Sequence, residues 1–432
     1  MDSTALSLVV LGTLVFAAHV FSELFSRKRV PDLLLLLIIG IIIGPVFKIV
    51  TPEDLGGFGQ VFSTLTLVII LFEGGSELSL SNIRTSFKDM IGLTLVSYFL
   101  IMIVFGILGH YILQLPWATS FFMSAVLGGA AEAIVIPLTK HLKISENSKA
   151  TLVLETSFST VVCFIISLAL FNAVKSQQFE IGKTIGNIIS SFVLAGIIGF
   201  AGAVFWAIVL QKIRTVKNST FTTPAFVFII YGINSILGFS GEIAALTFGI
   251  TLTNIDAVYN SIFKKLFKNK PNSLNYNERM LFSEMAFLLR TFVFVYIGIS
   301  IQLNDWKSIL IGLAITLILL ILRILSVRWT VVRNKDGYTE MEAMYMSCMV
   351  SKGLVAAILA ALLKQAGLPF ADEVQNIVYS VILFSIVFTC AMIPLLEKSK
   401  FIQKTLLFML YFPRKKEDST IKPIDNQEDK IE

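Results

Sequence analysis

The sequence has 432 residues, of which 55% are hydrophobic and only 15% are charged. A soluble domain of this length does not need so much apolar surface, so the composition excludes a soluble metabolic enzyme and predicts an all-α polytopic membrane protein. We attribute the formal net charge of +6 to basic loops that face an anionic inner leaflet, and nothing in the sequence indicates nucleic-acid binding.

Apolar runs of helix-spanning length, about 20 residues each, recur along nearly the whole chain. We predict about thirteen transmembrane helices, of which the two near 222–256 are short and closely joined. The first run is too long for a cleaved signal and lacks a preceding positive charge, so we interpret it as a span. The approximate limits are 5–25, 31–50, 60–75, 88–114, 118–139, 149–173, 184–211, 222–237, 240–256, 280–302, 308–330, 340–364 and 373–396.

Lysine and arginine are concentrated in every second loop, and the loops between carry few of them. By the positive-inside rule, this asymmetry predicts a multi-pass protein of the cell membrane with its N-terminus outside and its C-terminus in the cytoplasm. The basic loops lie near residues 27–29, 84–88, 140–149, 212–217, 264–279 and 328–335.

The chain divides into a membrane domain, residues 1–397, and a short tail. Residues 398–412 mix lysine with leucine and aromatic residues, which predicts an amphipathic segment at the inner membrane surface. Residues 413–432 are charged and poor in aromatic residues, which is typical of a disordered cytoplasmic tail. The sequence has no phosphate-binding loop and its three cysteines lack metal-site spacing, so we expect no cofactor and no metal.

The stretch 127–163 carries the strongest functional signal, because polar groups at membrane depth are costly and usually mark a site. Two apolar helices meet here across a basic loop, and Gly128-Gly129 and Pro137 weaken the hydrogen bonding of the first helix. The predicted site residues are two acids and a row of hydroxyls: Glu132, Glu155, Thr156, Ser157, Ser159 and Thr160.

Other charged residues inside the predicted spans are expected to pair, because each would otherwise cost a few kcal/mol. Glu155 has three candidate basic partners, which are Arg323, Lys352 and Arg290. The pair Lys352-Gly353 also interrupts an apolar run, as far into the second half as Gly128 lies into the first. Paired interruptions of this kind predict inverted repeats with two broken helices and a site at the midplane.

Several stretches resemble the monovalent cation–proton antiporter superfamily, in its sodium–proton exchanger branch. They are Arg29-Val30-Pro31-Asp32, the "FEGG" of residues 72–75, Leu154-Glu155-Thr156, LLRTFVFVYIG at 288–298, and Ser351-Lys352-Gly353-Leu354. The resemblance implies crossing broken helices, a core bundle and a dimerisation bundle within residues 1–397, and a homodimer. It also implies secondary-active exchange of Na⁺ or K⁺ for H⁺ by alternating access. It further places a Glu–Arg pair at Glu155 and Arg323, and it makes Glu73 structural.

The sequence departs from the family at its core acid. The family pattern is roughly Glu-Ser-x-x-Asn-Asp, and here the final Asp is replaced by Thr160, while Ala130 and Ala131 replace polar residues of the preceding break. We favour the interpretation that Glu132 replaces the lost Asp. The alternative is an antiporter-fold protein without coupled exchange, acting as a channel-like effector or a sensor.

Overall fold

The computed structural model describes residues 12–13, 15–21, 23, 32–51, 56–77, 83–176, 181–215, 219–259, 273–332 and 338–410. All regular secondary structure within these ranges is helical, which agrees with the all-α prediction. The predicted disordered tail, 413–432, lies outside the described residues, as do 411 and 412 of the predicted amphipathic segment.

The helices are numbered here in chain order. They are α1 (Asp32–Ile41, continued by a π-helical turn, Ile42–Val46), α2 (Gly56–Glu77), α3 (Ile83–Tyr111), α4 (Trp117–Gly128), α5 (Glu132–His141), α6 (Glu146–Ser176), α7 (Ile181–Ile213), α8 (Thr222–Ile236), α9 (Gly241–Thr253), α10 (Ile255–Val258), α11 (Tyr276–Ser300), α12 (Trp306–Val327, followed by a π-helical turn, Arg328–Val332), α13 (Glu340–Cys348), α14 (Leu354–Gln365), α15 (Ala371–Lys398) and α16 (Lys400–Leu410).

Six of these helices, α3, α6, α7, α11, α12 and α15, are long and apolar enough within the described ranges to cross a membrane unaided. Shorter apolar helices supply further membrane-depth segments, among them α4, α8, α9 and α14. The two short spans predicted near 222–256 are separate helices, joined by a turn in which Gly238 has a φ of 79°. The total of about thirteen spans remains a prediction.

The helices pack as two bundles. The core bundle contains α3 to α6 and α12 to α15, and each half has the same order: a long helix, a broken helix and a second long helix. The second bundle contains α1, α2, α7, α8, α9 and α11. Helices α1 and α11 are in close contact, and a Cβ at Gly40 or Gly298 would overlap the backbone of the other helix. Small residues allow this backbone approach, which is how helices commonly pack within membranes.

The two broken helices cross at their interruptions. The first break separates α4 from α5, and Ala131 there has an extended backbone, with φ −90° and ψ 92°. The second separates α13 from α14. The amide of Ala131 donates to the carbonyl of Ser351 at 3.0 Å, which joins the two breaks directly. A Cβ at Gly353 would lie 3.0 Å from the Cα of Ala131, so glycine is needed for this close approach. The predicted crossing of two broken helices is therefore confirmed.

Candidate functional site

A bidentate ion pair holds the core bundle beside the crossing. Arg323 of α12 donates from Nη1 to Oε1 of Glu155 at 2.8 Å and from Nη2 to Oε2 at 3.0 Å. Its Nε donates to the carbonyl of Met346, at the end of α13, at 3.0 Å. The two side chains are only 6% and 4% exposed. Of the three partners considered from the sequence, the structure places Arg323 on Glu155, in the fork geometry that suits a carboxylate.

Lys352 connects one break to the other. Its Nζ donates to the carbonyl of Gly129 at 3.0 Å, and its backbone amide donates to Oγ of Ser385 on α15 at 3.0 Å. Gly129 follows the last turn of α4, where carbonyls lose their helical partners. The ammonium group therefore neutralises a half-helix end, which carries partial negative charge.

The predicted hydroxyls of α6 are used mainly within their own helix. Thr156 donates to the carbonyl of Leu152 at 2.6 Å, and Ser159 donates to that of Thr156 at 2.9 Å. Thr160 donates to Thr156 at 3.0 Å and also to the carbonyl of Ala130, in the first break, at 3.3 Å. Such i−4 and i−3 bonds satisfy hydroxyls buried in helices. Thr160 is thus the hydroxyl that links α6 to the crossing.

A cavity of about 160 Å³ lies between the two bundles at the crossing. Of the predicted cation-site residues, the structure brings Glu132 and Thr160 to its wall. A Cβ built at Gly74 of α2 would lie 3.6 Å from Oε2 of Glu132, so the carboxylate faces the second bundle. The described lining residues do not include Glu155, Thr156, Ser157 or Ser159, which are buried in the core bundle. The lining comprises Ile70, Glu73, Gly74, Ala130, Ala131, Glu132, Ile136, Thr160, Ser283, Arg290, Phe294, Gly353, Leu354 and Val355.

An unexpected ion pair forms the opposite wall. Arg290 of α11 pairs with Glu73 of α2, with side chains 27% and 11% exposed. Arg290, one of the three candidate partners of Glu155, thus forms an ion pair with a different acid, because α11 belongs to the other bundle. Glu73 was not predicted as a residue of the cavity, because the resemblance indicated a structural role for it. The available signal was the acid itself, which lies within a predicted span and directly before Gly74, the residue that faces the carboxylate of Glu132. Glu284, an acid within the predicted span 280–302, is exposed on α11.

Comparison with known proteins identifies the family of the chain. The family described as "Sodium/hydrogen exchanger, transmembrane" matches residues 10–398. The chain belongs to this family.

Similar proteins include two antiporters. The exchanger-family chain is 24% identical over 394 residues to the K(+)/H(+) antiporter NhaP2 of Shewanella sp. strain ANA-3, covering 89% of this chain and 66% of that protein. It is 23% identical over 389 residues to the Na(+)/H(+) antiporter 1 of Methanocaldococcus jannaschii, covering 85% and 84%. The chain thus spans about two thirds of the length of the Shewanella relatives.

A solved structure shares the fold. The sodium proton antiporter MjNhaP1 from Methanocaldococcus jannaschii at pH 8 superimposes on the exchanger-family chain with a TM-score of 0.72 and 19% identity, covering 94% of this chain and 99% of that one.

Proposed function

We propose that this chain exchanges Na⁺ or K⁺ for H⁺ by alternating access, and that Glu132 is the carboxylate at which the two ions compete. The observation that carries the proposal is the position of Glu132, which lines the cavity between the bundles beside the helix crossing. Membership of the exchanger family supports the same function, and both similar antiporters named above exchange a monovalent cation for protons.

The cavity wall offers the oxygen ligands that a dehydrated cation needs. Glu132 contributes a carboxylate, and Thr160 contributes a hydroxyl whose lone pairs remain available while its single proton is shared between the carbonyls of Thr156 and Ala130. The unwound backbone at Ala130 adds a carbonyl, as half-helix breaks do at other cation sites. Glu73 supplies a second carboxylate from the opposite bundle. One carboxylate together with neutral oxygens suffices for a monovalent cation, because the carboxylate compensates the single positive charge of the ion in a region of low dielectric constant.

The charges around the crossing favour a one-for-one exchange. Among the described residues, three carboxylates, on Glu73, Glu132 and Glu155, meet three cationic groups, on Arg290, Arg323 and Lys352. The pairs Glu155–Arg323 and Glu73–Arg290 cancel, and Lys352 leaves one positive charge that ionised Glu132 offsets. Binding either a proton or a cation at Glu132 raises the net charge by the same unit. The two loaded states therefore carry equal charge, so one complete exchange moves no net charge across the membrane.

Orientation and assembly form part of the proposal. The basic loops support an N-terminus outside and a C-terminus in the cytoplasm. Homodimerisation through the second bundle is supported by apolar side chains exposed along α7, including Val193, Ile197 and Phe205. Residues 1–397 would then act as a core bundle that moves against a dimerised second bundle.

The test is cation-driven proton flux in proteoliposomes, measured separately with Na⁺, K⁺ and Li⁺. We expect Glu132→Gln to abolish exchange in a protein that still folds. The matched control is Glu284→Gln, which removes an exposed acid from α11 and should leave exchange intact. Cation flux without counter-flow of protons in the parent protein would instead support the channel-like alternative.

A rescue experiment separates loss of the carboxylate from misfolding. Thr160 and Glu132 line the same cavity, so Thr160→Asp in the Glu132→Gln background should restore exchange. Full exchange in Glu132→Gln alone would contradict the assignment, and Glu73 would then be the next carboxylate to replace.

A further inference from the structure

The last described helix, α16, begins where a membrane-spanning helix ends. Helix α15 has 28 residues and is therefore about 42 Å long, enough to cross the hydrocarbon core. Ser399 then adopts an extended backbone with φ −107° and ψ 106°, and this breaks the helix. Gln403 donates from Nε2 to the carbonyl of Leu396 at 2.8 Å, which folds α16 back against the end of α15. Helix α16 consequently lies close to the membrane surface.

One face of α16 is attached to the core bundle. Leu406 and Leu410 are buried, and the helix packs against α12, α13 and α15. Arg328, which follows α12, donates from Nη1 to the carbonyl of Met409 at 3.5 Å. A cation at this end also suits the negative end of the helix dipole. Because α13 is the first half of the second broken helix, α16 is joined to the bundle that carries the crossing.

The other face of α16 is aromatic and basic. Phe401 and Phe408, seven residues apart and therefore on one face, are 79% and 83% exposed. Exposed lysines flank them, at position 398 at the end of α15 and at positions 400 and 404 of α16. The helix contains no acidic residue, and the exposed Trp329 follows Arg328 at the end of α12. Large aromatic side chains beside lysines, at the end of a span, are typical of a helix that lies in the headgroup layer.

We propose that this second face of α16 binds the anionic leaflet of the bilayer and anchors the core bundle to it. Phe401 and Phe408 enter the boundary between headgroups and acyl chains, and the three lysines bind the negative headgroups. Two observations favour this partner: the positive charge of the lysines complements the negative headgroups, and α16 begins directly after the membrane-spanning helix α15. Each basic residue near such a surface contributes a roughly 5-fold gain in affinity. This contact with lipid is independent of the transport mechanism. The two tests below measure lipid binding and insertion, and neither measures transport.

The first test compares the full-length protein in nanodiscs of phosphatidylcholine alone and of phosphatidylcholine with phosphatidylglycerol. A ligand that binds the folded state raises the melting temperature, so phosphatidylglycerol should raise the Tm of the parent. The variant K398Q/K400Q/K404Q should lose this rise. The control variant K143Q/K212Q/R279Q removes three exposed basic residues from the other basic loops, and it should keep the rise. An equal response of the two variants would show that the rise does not depend on α16, and the proposal would be wrong.

The second test measures insertion. Phe408→Trp should add fluorescence that lipids with brominated acyl chains quench, after subtraction of the parent signal. Lys143→Trp, in an exposed loop, should add fluorescence that these lipids do not quench. If residue 408 is also unquenched, the face is covered by the tail or by a second copy of the chain, and the proposal is wrong.

Discussion

Arg323 uses its guanidinium entirely within the core bundle, on Glu155 and on the carbonyl of Met346. Such a pair gives weak net stabilisation, but removing one partner leaves a buried charge uncompensated. We expect Glu155→Ala to lower the free energy of unfolding by roughly 3–5 kcal/mol, measured by denaturation in detergent. The double variant E155L/R323M, which removes both charges at similar volume, should be near neutral. A single variant as stable as the parent would contradict this account.

Arg290 supplies a fixed positive charge at the cavity wall, where its guanidinium pairs with the carboxylate of Glu73. A transported cation must compete with it for the negative charge of the opposite wall. We therefore expect Arg290→Gln to lower the KM for the cation several-fold in proteoliposome assays. Arg279→Gln, near the exposed start of the same helix, is the control. An unchanged KM would make the Glu73–Arg290 pair a structural link between α2 and α11.

Local sequence signals predicted the broken helices because backbone interruptions depend on nearby residues. Gly128 ends α4, and Gly353 lies directly before α14, as their positions within apolar runs indicated. Pro137 gave a weaker signal, since α5 continues from Glu132 to His141 through it. The bond from Ala131 to Ser351 was not predictable, because it joins segments 220 residues apart in the chain.

Lys352 links the two broken helices through the carbonyl of Gly129. Lysine can lose its proton when desolvated, whereas arginine cannot. If Lys352 only supplies fixed charge, Lys352→Arg should retain exchange at every pH, provided that the larger group fits. Exchange that disappears at one end of the pH range in this variant, while the protein remains folded, would instead show that the amine takes part in proton transfer. Lys364→Arg, on the exposed end of α14, controls for the substitution.

At the scale of the whole molecule, composition and order of motifs predicted the class, the antiporter fold and the two breaks. The site was predicted only in part. Glu132 and Thr160 reach the cavity, but Glu73 and Arg290 come from helices of the other bundle. Pairing between distant spans depends on tertiary packing, and periodicity within each span does not encode it. That is why the row of polar residues at membrane depth favoured hydroxyls of α6 that are bonded within their own helix.

The charge balance at the crossing gives a prediction for the whole transport cycle. If Glu132 alone changes its bound ion, each exchange moves one cation against one proton and no net charge. The cation gradient at which net exchange stops in proteoliposomes should therefore be unchanged by a membrane potential set with an ion that the protein does not carry. A stopping gradient that shifts with the potential would mean that a second group also changes its bound ion, with Glu73 and Lys352 the nearest choices.

The bond between Ala131 and Ser351 gives the crossing a built-in reporter. It is a single backbone bond between two buried interruptions that lack helical partners at that point. The amide proton of Ala131 can exchange with deuterated solvent only when this bond opens. If the two broken helices move together as one body, the amide proton of Ala131 stays protected and its exchange remains slow during turnover. If the half-helices separate to release an ion, this proton becomes exposed at each separation and its exchange is faster during turnover. Deuterium uptake of a peptide that contains residue 131, measured by mass spectrometry, thus distinguishes a crossing that moves as a rigid body from one whose half-helices separate.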